Sequence, residues 1–588
     1  MDPNSRNAVR AGPALPSPAV LHDLLKACHG GSLNDVIAIV AEFNVTADVM
    51  RATDHVALHV ACGRGHLNIA NWLATKFDLT AEDARSINNA ALHSAIANGH
   101  IGVATWLADR FGLTAEDARA DGNFALCAAV TNGHLEAAAW LADRFGLTAD
   151  DARVRDNVLL HSACRDGNLE TARWLADRFG LTADDARADD NYALCGACDQ
   201  GHLEVAAWLA DRFGLTAEDA RANLNTPLHN ACRDGHLEIA RWLVDRFELT
   251  ADDARDDDNY ALRAAASMGS LEIARWLADR FGLTAADARA DDNYALRTAA
   301  ANGHLEAARW LADRFELDTD DARARDNYAL CGAVANGHLE VAAWLANRFG
   351  LTADNIRAED GEVAPLCIAC AGGNLEIARW VADRFELTVD DVRAGGAALR
   401  VACAGAHLGL ARWLVDRFDL GVDDVRTGNN RFLRAACKTG DQATAVWLAN
   451  RFELDADDAR DHNNSALRRA CANGHLATAQ WLADRFGLTA EDARADGNFA
   501  LRYACHWGHL EVAAWLTDRF GLTAEDARTN SSHALQLASI GGHLDVVKWL
   551  VIRFDLNAQD IRADDNLAMH AAYAHGHIEI AAWLASRE

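Results

Sequence analysis

The stretch that decides the fold is DNYALCGACDQGHLEVAAWLADRFGLTAEDARAN, Asp190 to Asn223. Its first apolar set, Tyr192, Leu194, Ala197 and Cys198, suits a short helix that ends before Gly201. That glycine recurs in register at Gly65, Gly235, Gly303 and Gly474, where a left-handed C-cap needs a residue without a Cβ. From Leu203 to Phe213 the apolar residues Leu203, Val205, Ala206, Trp208, Leu209 and Phe213 form one broad helical face, with Glu204 favouring the dipole in the first turn. Leu-Thr-Ala-Glu-Asp-Ala-Arg follows. Thr216 caps a short turn, Asp219 holds the reciprocal capping-box position, and Arg221 suits the C-terminal end. Two antiparallel helices and a third helical turn in the connecting loop are expected, and no strand signal competes.

The unit repeats. Tryptophan falls at positions 72, 106, 140, 174, 208, 242, 276, 310, 344, 380, 413, 447, 481, 515, 549 and 583, and only Trp507 of the seventeen lies outside the register. A period near 34 residues means one supersecondary unit stacked about seventeen times, each burying its apolar face against its neighbours. Two faults adjoin, 36 residues from Trp344 to Trp380 and 33 from Trp380 to Trp413. They predict a curvature break over residues 358–398, with a division into two lobes as one consequence. Residues 1–20 read as a flexible tail and 21–588 as the array. The first unit, Leu21 to Val45, places Ala38 at the Trp position, as an atypical cap does.

Thr226-Pro227-Leu228-His229-Asn230-Ala231-Cys232-Arg233-Asp234-Gly235-His236-Leu237-Glu238-Ile239 resembles the ankyrin-repeat consensus, and Gly542 to Val551 is similar to that family's second helix. The order Ala-Leu, Gly-His-Leu-Glu, Trp-Leu persists over residues 21–588. Tetratricopeptide repeats share the period, but the short first helix, the mid-unit Gly-His and the missing closing proline disfavour them. The departures are an aromatic or small residue at the threonine site (Tyr260, Tyr294, Tyr328, Phe499), Cys or Arg at the histidine site, and Leu-Thr-Ala-Asp-Asp in place of the usual hairpin. The expected fold class is therefore all-α, an ankyrin-like helical solenoid of helix-turn-helix repeats with helical fingers instead of β-hairpins. By the same resemblance His229 and its equivalents His59, His93, His161 and His570 would bond a neighbouring loop.

The net charge is −30, which argues against nucleic acid or an anionic membrane as main partner. Solubility of a long array is one reading of this charge, and selection for a basic partner is another. Only Lys26, Lys76, Lys438 and Lys548 are lysines. A GC-rich gene accounts for that, and so does selection against ubiquitin acceptor sites. The N-terminus lacks a signal-peptide pattern and no apolar run spans a membrane, so a soluble, intracellular, monomeric protein is expected, cytoplasmic or in a host cytoplasm if it comes from a pathogen or virus.

Apparent chemistry dissolves into the register. Cys195/Cys198 and Cys367/Cys370 form C-x-x-C pairs, yet ten of the fourteen cysteines lie ten residues before the Trp position and the other four lie thirteen before it. Small buried packing is the reading, not zinc or a disulfide. Twelve histidines share one slot, six before the Trp, as at His202 and His338, which suits a cap or an inter-repeat hydrogen bond. Asp184-Asp185 starts a helix and is not a catalytic dyad. No enzyme, cofactor or metal is expected.

Two groups remain as candidates for partner binding. His506 and Trp507 occupy the exposed end of a first helix, with Tyr503 one turn earlier and Ile540 and His575 in the next units; such a composition marks an interface hot spot. The packing alternative folds Trp507 over Gly541 and Gly542. A second candidate is the row Arg263, Arg297, Arg400, Arg434, Arg468 and Arg502. Either it grips an acidic peptide, or each stem lies in the groove with its head paired to a loop Asp. The expected function is a non-catalytic scaffold binding protein partners on the first-helix and loop-tip surface. The alternatives are a substrate-recruiting subunit of a ubiquitin ligase and a passive spacer.

Overall fold

The computed structural model describes residues 18–358, 361–394 and 396–587. The tail expected over residues 1–20 falls largely outside them, as do 359, 360 and 395 within the two spacing faults. The chain divides into two compact units, Met1–Ala290 and Asp291–Glu588. Both are built from the same helical repeat, and among the described residues there is no β-strand. The class is an all-α helical solenoid.

In the first unit, the quoted repeat shows why the sequence folds as it does. Its second helix, Leu203–Phe213, buries Val205, Ala206, Leu209, Ala210 and Phe213 and ends at left-handed Gly214. The finger is the single turn Ala217–Ala220. Most of what lines the interior is Ala, Leu and Cys. Small residues let successive helices approach closely, and each fully buried Leu contributes roughly 2 kcal/mol by leaving water. Trp208 is only half-buried. It meets Phe213 of its own repeat edge-on, with ring centroids 5.7 Å apart. The tryptophan comb therefore braces each repeat internally through its own Phe.

A lock between neighbouring repeats lies in the fingers. The backbone N–H of Thr216 donates to Asp219 at 2.7 Å and its hydroxyl at 3.0 Å, as a capping box requires. Arg187, 32 residues earlier, completes the same carboxylate with two bonds, Nε at 2.6 Å and Nη2 at 3.0 Å. Arg221 in turn reaches Asp253 of the next finger at 2.5 and 3.0 Å. Arg85–Asp117, Arg119–Asp151 and Arg153–Asp185 repeat the arrangement. The arginine was expected to serve its own helix dipole; it is instead the bidentate strap between repeats, because its planar fork matches a carboxylate already fixed by the cap.

A second device was not legible as such. Between finger and first helix, Asp189, Asp190 and Asn191 all adopt left-handed conformations, with φ of 52°, 53° and 61°. Such residues cost about 1–2 kcal/mol each for most side chains, and Asn, Asp and Gly tolerate them best. This is why the triplet is rich in Asp, Asn and Gly, as in Asp-Asp-Asn and Asp-Gly-Asn, and closes on Asn in every such triplet but Asn530-Ser531-Ser532. The last Asn is buried and reaches forward: Asn123 Nδ2 donates to the Asp151 carbonyl at 3.3 Å.

Gly201 illustrates a third constraint. Its φ is +85°, and a Cβ there would stand 2.7 Å from the imidazole of His236, whose Nε2 bonds the Asp199 carbonyl at 3.0 Å. The histidine slot is thus an inter-repeat hydrogen bond, as expected. Gly201→Ala is expected to cost about 1–2 kcal/mol of backbone strain plus about 1 kcal/mol for the displaced histidine bond, read as a lower urea midpoint. Gly214→Ala, at φ +61° with open space around it, should lose only the backbone part. Equal losses would mean that the His236 contact contributes nothing.

The second unit carries the same straps, including Arg426–Asp458, Arg460–Asp492 and Arg494–Asp526. It also contains both faults. Asn355 stands where the strap needs Asp, and Arg323 turns back to Asp320 at 3.6 Å. Beyond it Arg357 and Val363 form an antiparallel bridge, closed by Ala358 N–H to the Glu362 carbonyl at 2.8 Å. The helical finger is kept here as Ala353–Ile356, and the isolated bridge follows it ahead of the first helix Ala364–Ala371. At the short repeat, among the described residues of this loop, Gly396 is left-handed just ahead of the first helix Ala397–Ala404. Phe432, in a register that is mostly alanine, as at Ala193, fills the shortened loop and borders a cavity of about 130 Å³ lined also by Val392, Leu399 and Leu420.

Candidate functional site

The first helix Ala495–His506 positions the C-terminal aromatic candidates. Phe499 and Tyr503, one turn apart, stack with centroids 4.1 Å apart. Tyr503 meets His506 edge-on at 6.0 Å, and His506 meets Trp507 at 4.7 Å. The helix stops at His506; the Trp507 N–H still donates to the Tyr503 carbonyl at 3.1 Å, and left-handed Gly508 then turns the chain away. Trp507 is left on the outside of the bend and is 58% exposed.

His506 Nδ1 bonds the Leu537 carbonyl of the next repeat at 3.1 Å, which fixes that nitrogen as the donor. The backbone of Gly541 abuts the carbonyl of His506, and Gly542 faces His577. These are the nearest contacts over the two glycines. Ile540 is half-buried and its carbonyl accepts from His577 Nε2 at 3.1 Å, while His575 is exposed at the end of the helix Ala563–Ala574. The three first helices pack in succession. Tyr573, 72% exposed, was missed: it stands in the register where ten cysteines sit, and a large ring in that slot was the available signal.

The arginine row is held mainly by loop backbone, with a loop Asp added at Arg263 (Asp257, 3.9 Å), as the packing alternative expects. Arg263, Arg297, Arg434, Arg468 and Arg502 each donate through Nη2 to a backbone carbonyl six residues earlier, at the start of the left-handed triplet, at 2.7 to 3.1 Å. Arg468 also pairs with Asp496 and lies 4.7 Å over the Phe499 ring. Arg502 donates to His533 Nδ1 at 2.8 Å. Burial, then the Arg502 charge, hold His533 below the usual histidine range. Arg400 is the exposed member.

In place of arginine, earlier repeats carry histidine at this position. His59 Nε2 bonds Ser86 of the next loop at 3.0 Å, as the resemblance implied. His161 and His229 instead lie against the rings of Tyr192 and Tyr260, at 5.2 and 4.7 Å. Burial pushes His229 down to about 4.

The cysteines are free thiols. Burial pushes Cys195 up to about 12 and Cys198 well above its ordinary value, which leaves no thiolate nucleophile in the first C-x-x-C pair. Among the described residues no group of three His, Cys, Asp or Glu side chains could hold a metal ion, and no helix is long and apolar enough to cross a membrane.

A stack of paired helices, each with a Gly-His turn ahead of the second helix and a loop finger after it, defines a class of repeat protein whose surfaces recur along one axis. A family model for ankyrin repeats in three copies matches residues 24–117, 194–289, 262–357 and 432–526, and a second, for many copies, matches 535–585. The chain belongs to the ankyrin-repeat family. No curated protein matches it. Ankyrin repeats generally mediate protein–protein interaction and generally are not catalytic.

Proposed function

We propose that the chain is a non-catalytic protein-binding scaffold whose C-terminal aromatic edge, Tyr503, His506 and Trp507 with Ile540 and His575, anchors a protein partner. The observation that carries this reading is Trp507. It is the one tryptophan outside the repeat register, it lies outside the Phe-braced positions, and it stands 58% exposed at the end of a train of stacked rings. Rigid aromatic anchors lose little conformational freedom on binding and dominate interface energetics.

Proximity labelling and pull-down with the intact chain, against a Trp507→Ala, Tyr503→Ala double variant of unchanged helical circular dichroism, test it. Proteins retained by the intact chain should be depleted at least tenfold by the double variant, since hot-spot truncation costs about 2 kcal/mol or more. Retention unchanged in the variant would clear this edge and turn attention to exposed Arg400. An intact chain that retains nothing specific would sink the scaffold reading itself.

A further inference from the structure

We propose that the exposed face of Tyr192, in the first unit, is a receptor for the guanidinium of an arginine on a partner protein. The proposal rests on the scaffold reading but concerns a different surface. Its basis is what sister repeats place on the same ring. In the second unit Arg297 lies between two tyrosines, 5.4 Å from the Tyr294 centroid and 5.2 Å from that of Tyr328, with Nη2 on the Asp291 carbonyl at 2.8 Å. Arg468 covers Phe499 in that unit, and Arg263 covers Tyr260 at 5.7 Å in the first. The slot formed by this ring and the left-handed loop is, in four repeats, a guanidinium site filled by the chain itself.

The Tyr192 repeat keeps the slot and lacks both donors. The arginine register holds Cys195, whose thiol reaches only the Asp190 carbonyl at 3.8 Å. The other observed donor register, in the preceding repeat, which supplies Arg297 to Tyr328 and Arg468 to Phe499, holds His161. Tyr192 is 42% exposed; His161 backs its ring, with centroids 5.2 Å apart, while no guanidinium lies over it among the described residues. Asp189 and Asp190 are exposed beside it, and neither forms an ion pair among the described residues. An aromatic face flanked by unpaired carboxylates and a loop carbonyl suits arginine better than lysine. The planar guanidinium stacks while its edge N–H groups reach the oxygens, whereas an ammonium is a compact, strongly hydrated point charge. A single such contact binds on the order of millimolar, adequate as one subsite of a larger interface.

The chain's six tyrosines make the test direct. With 3-fluorotyrosine incorporated, fluorine NMR reports each ring, and Tyr192→Phe identifies its resonance. N-acetylarginine methylamide should shift the Tyr192 resonance saturably, with a midpoint on the order of millimolar, and the lysine analogue should do so several-fold more weakly. Cys195→Arg, which supplies the chain's own guanidinium as at Arg297, should abolish the response. A Tyr192 resonance that stays still, or moves no more than those of exposed Tyr328 and Tyr573, or moves unchanged in Cys195→Arg, overturns the proposal. No partner is needed, so failure here leaves the Trp507 reading standing, and failure of the Trp507 reading leaves this measurement interpretable.

Discussion

Asp219→Ala is expected to destabilise the repeats on either side of its finger by about 3 kcal/mol, the low end for breaking a buried ion pair because Arg187 is 35% exposed. Asp219 itself is 6% exposed and accepts four bonds: two from Thr216 within the cap and two from Arg187 of the preceding repeat. Burial pushes its carboxyl up, yet the Arg187 guanidinium with the Thr216 amide and hydroxyl outweighs burial and holds it below the usual carboxylate range. Removing the carboxylate therefore uncaps one helix and orphans one arginine together.

Asp219→Asn separates these effects. Asn355 shows that an amide oxygen keeps both threonine bonds, each at 2.9 Å, while the arginine of the preceding repeat turns elsewhere. The Asn variant should lose only about 1–2 kcal/mol. Hydrogen exchange is the decisive readout, because nearest-neighbour coupling confines the loss to adjacent repeats. If Asp219→Ala and Asp219→Asn are equally mild, the strap does not hold neighbouring repeats together. The converse change, Asn355→Asp, should restore a strap with Arg323 and raise protection in the faulted region.

Acid should weaken the array in two separate steps. His59 and His229 are each held down to about 4 by burial; for His229, Asp256 and Asp257 oppose the shift and Arg263 adds to it, while the Tyr260 ring packs on its face. For both, the folded chain binds fewer protons than the unfolded chain between pH 6.5 and about 4. Stability is therefore full above pH 6.5, falls as pH drops through that window, and gains no further dependence below it. The loss is on the order of 3 kcal/mol per histidine.

The finger carboxylates act lower. Their folded values lie below the usual range, with Asp83 at about 2, so their contribution is present above the ordinary carboxylate value and is lost as pH falls through the folded one. Thermal unfolding against pH should show both steps. His59→Gln with His229→Gln should flatten the upper step alone, and Gln is compatible with this register because Gln536 occupies it and bonds the Ser531 carbonyl at 2.8 Å. An upper step unchanged in that variant would show that these histidines do not carry it.

The candidate site was legible in part, and for an identifiable reason. Trp507 stood out because periodicity makes any departure visible, but its neighbours Phe499 and Tyr503 form one stack only once a helix sets them a turn apart. The arginine row was visible as a column, while its main partners were not. Those partners are backbone carbonyls, which carry no residue signature, exposed by three successive left-handed residues that nothing in a hydrophobic pattern encodes. Tyr192 became distinguishable only by comparing what lies over each sister ring.

The sequence by itself determined the repeat, its two helices, its glycine caps, the capping box of each finger and the small-residue interior, because these depend on spacings of a few residues and on local backbone preference. Only the tertiary structure decided which repeat each charge serves. Thr216 and Asp219 are three residues apart and could be read together, whereas Arg187 and Asp219 are 32 apart and meet only when stacking brings successive fingers side by side. The same stacking set the arginines and buried aspartates to joining neighbours, whereas the brace of Trp208 on Phe213 lies within one repeat.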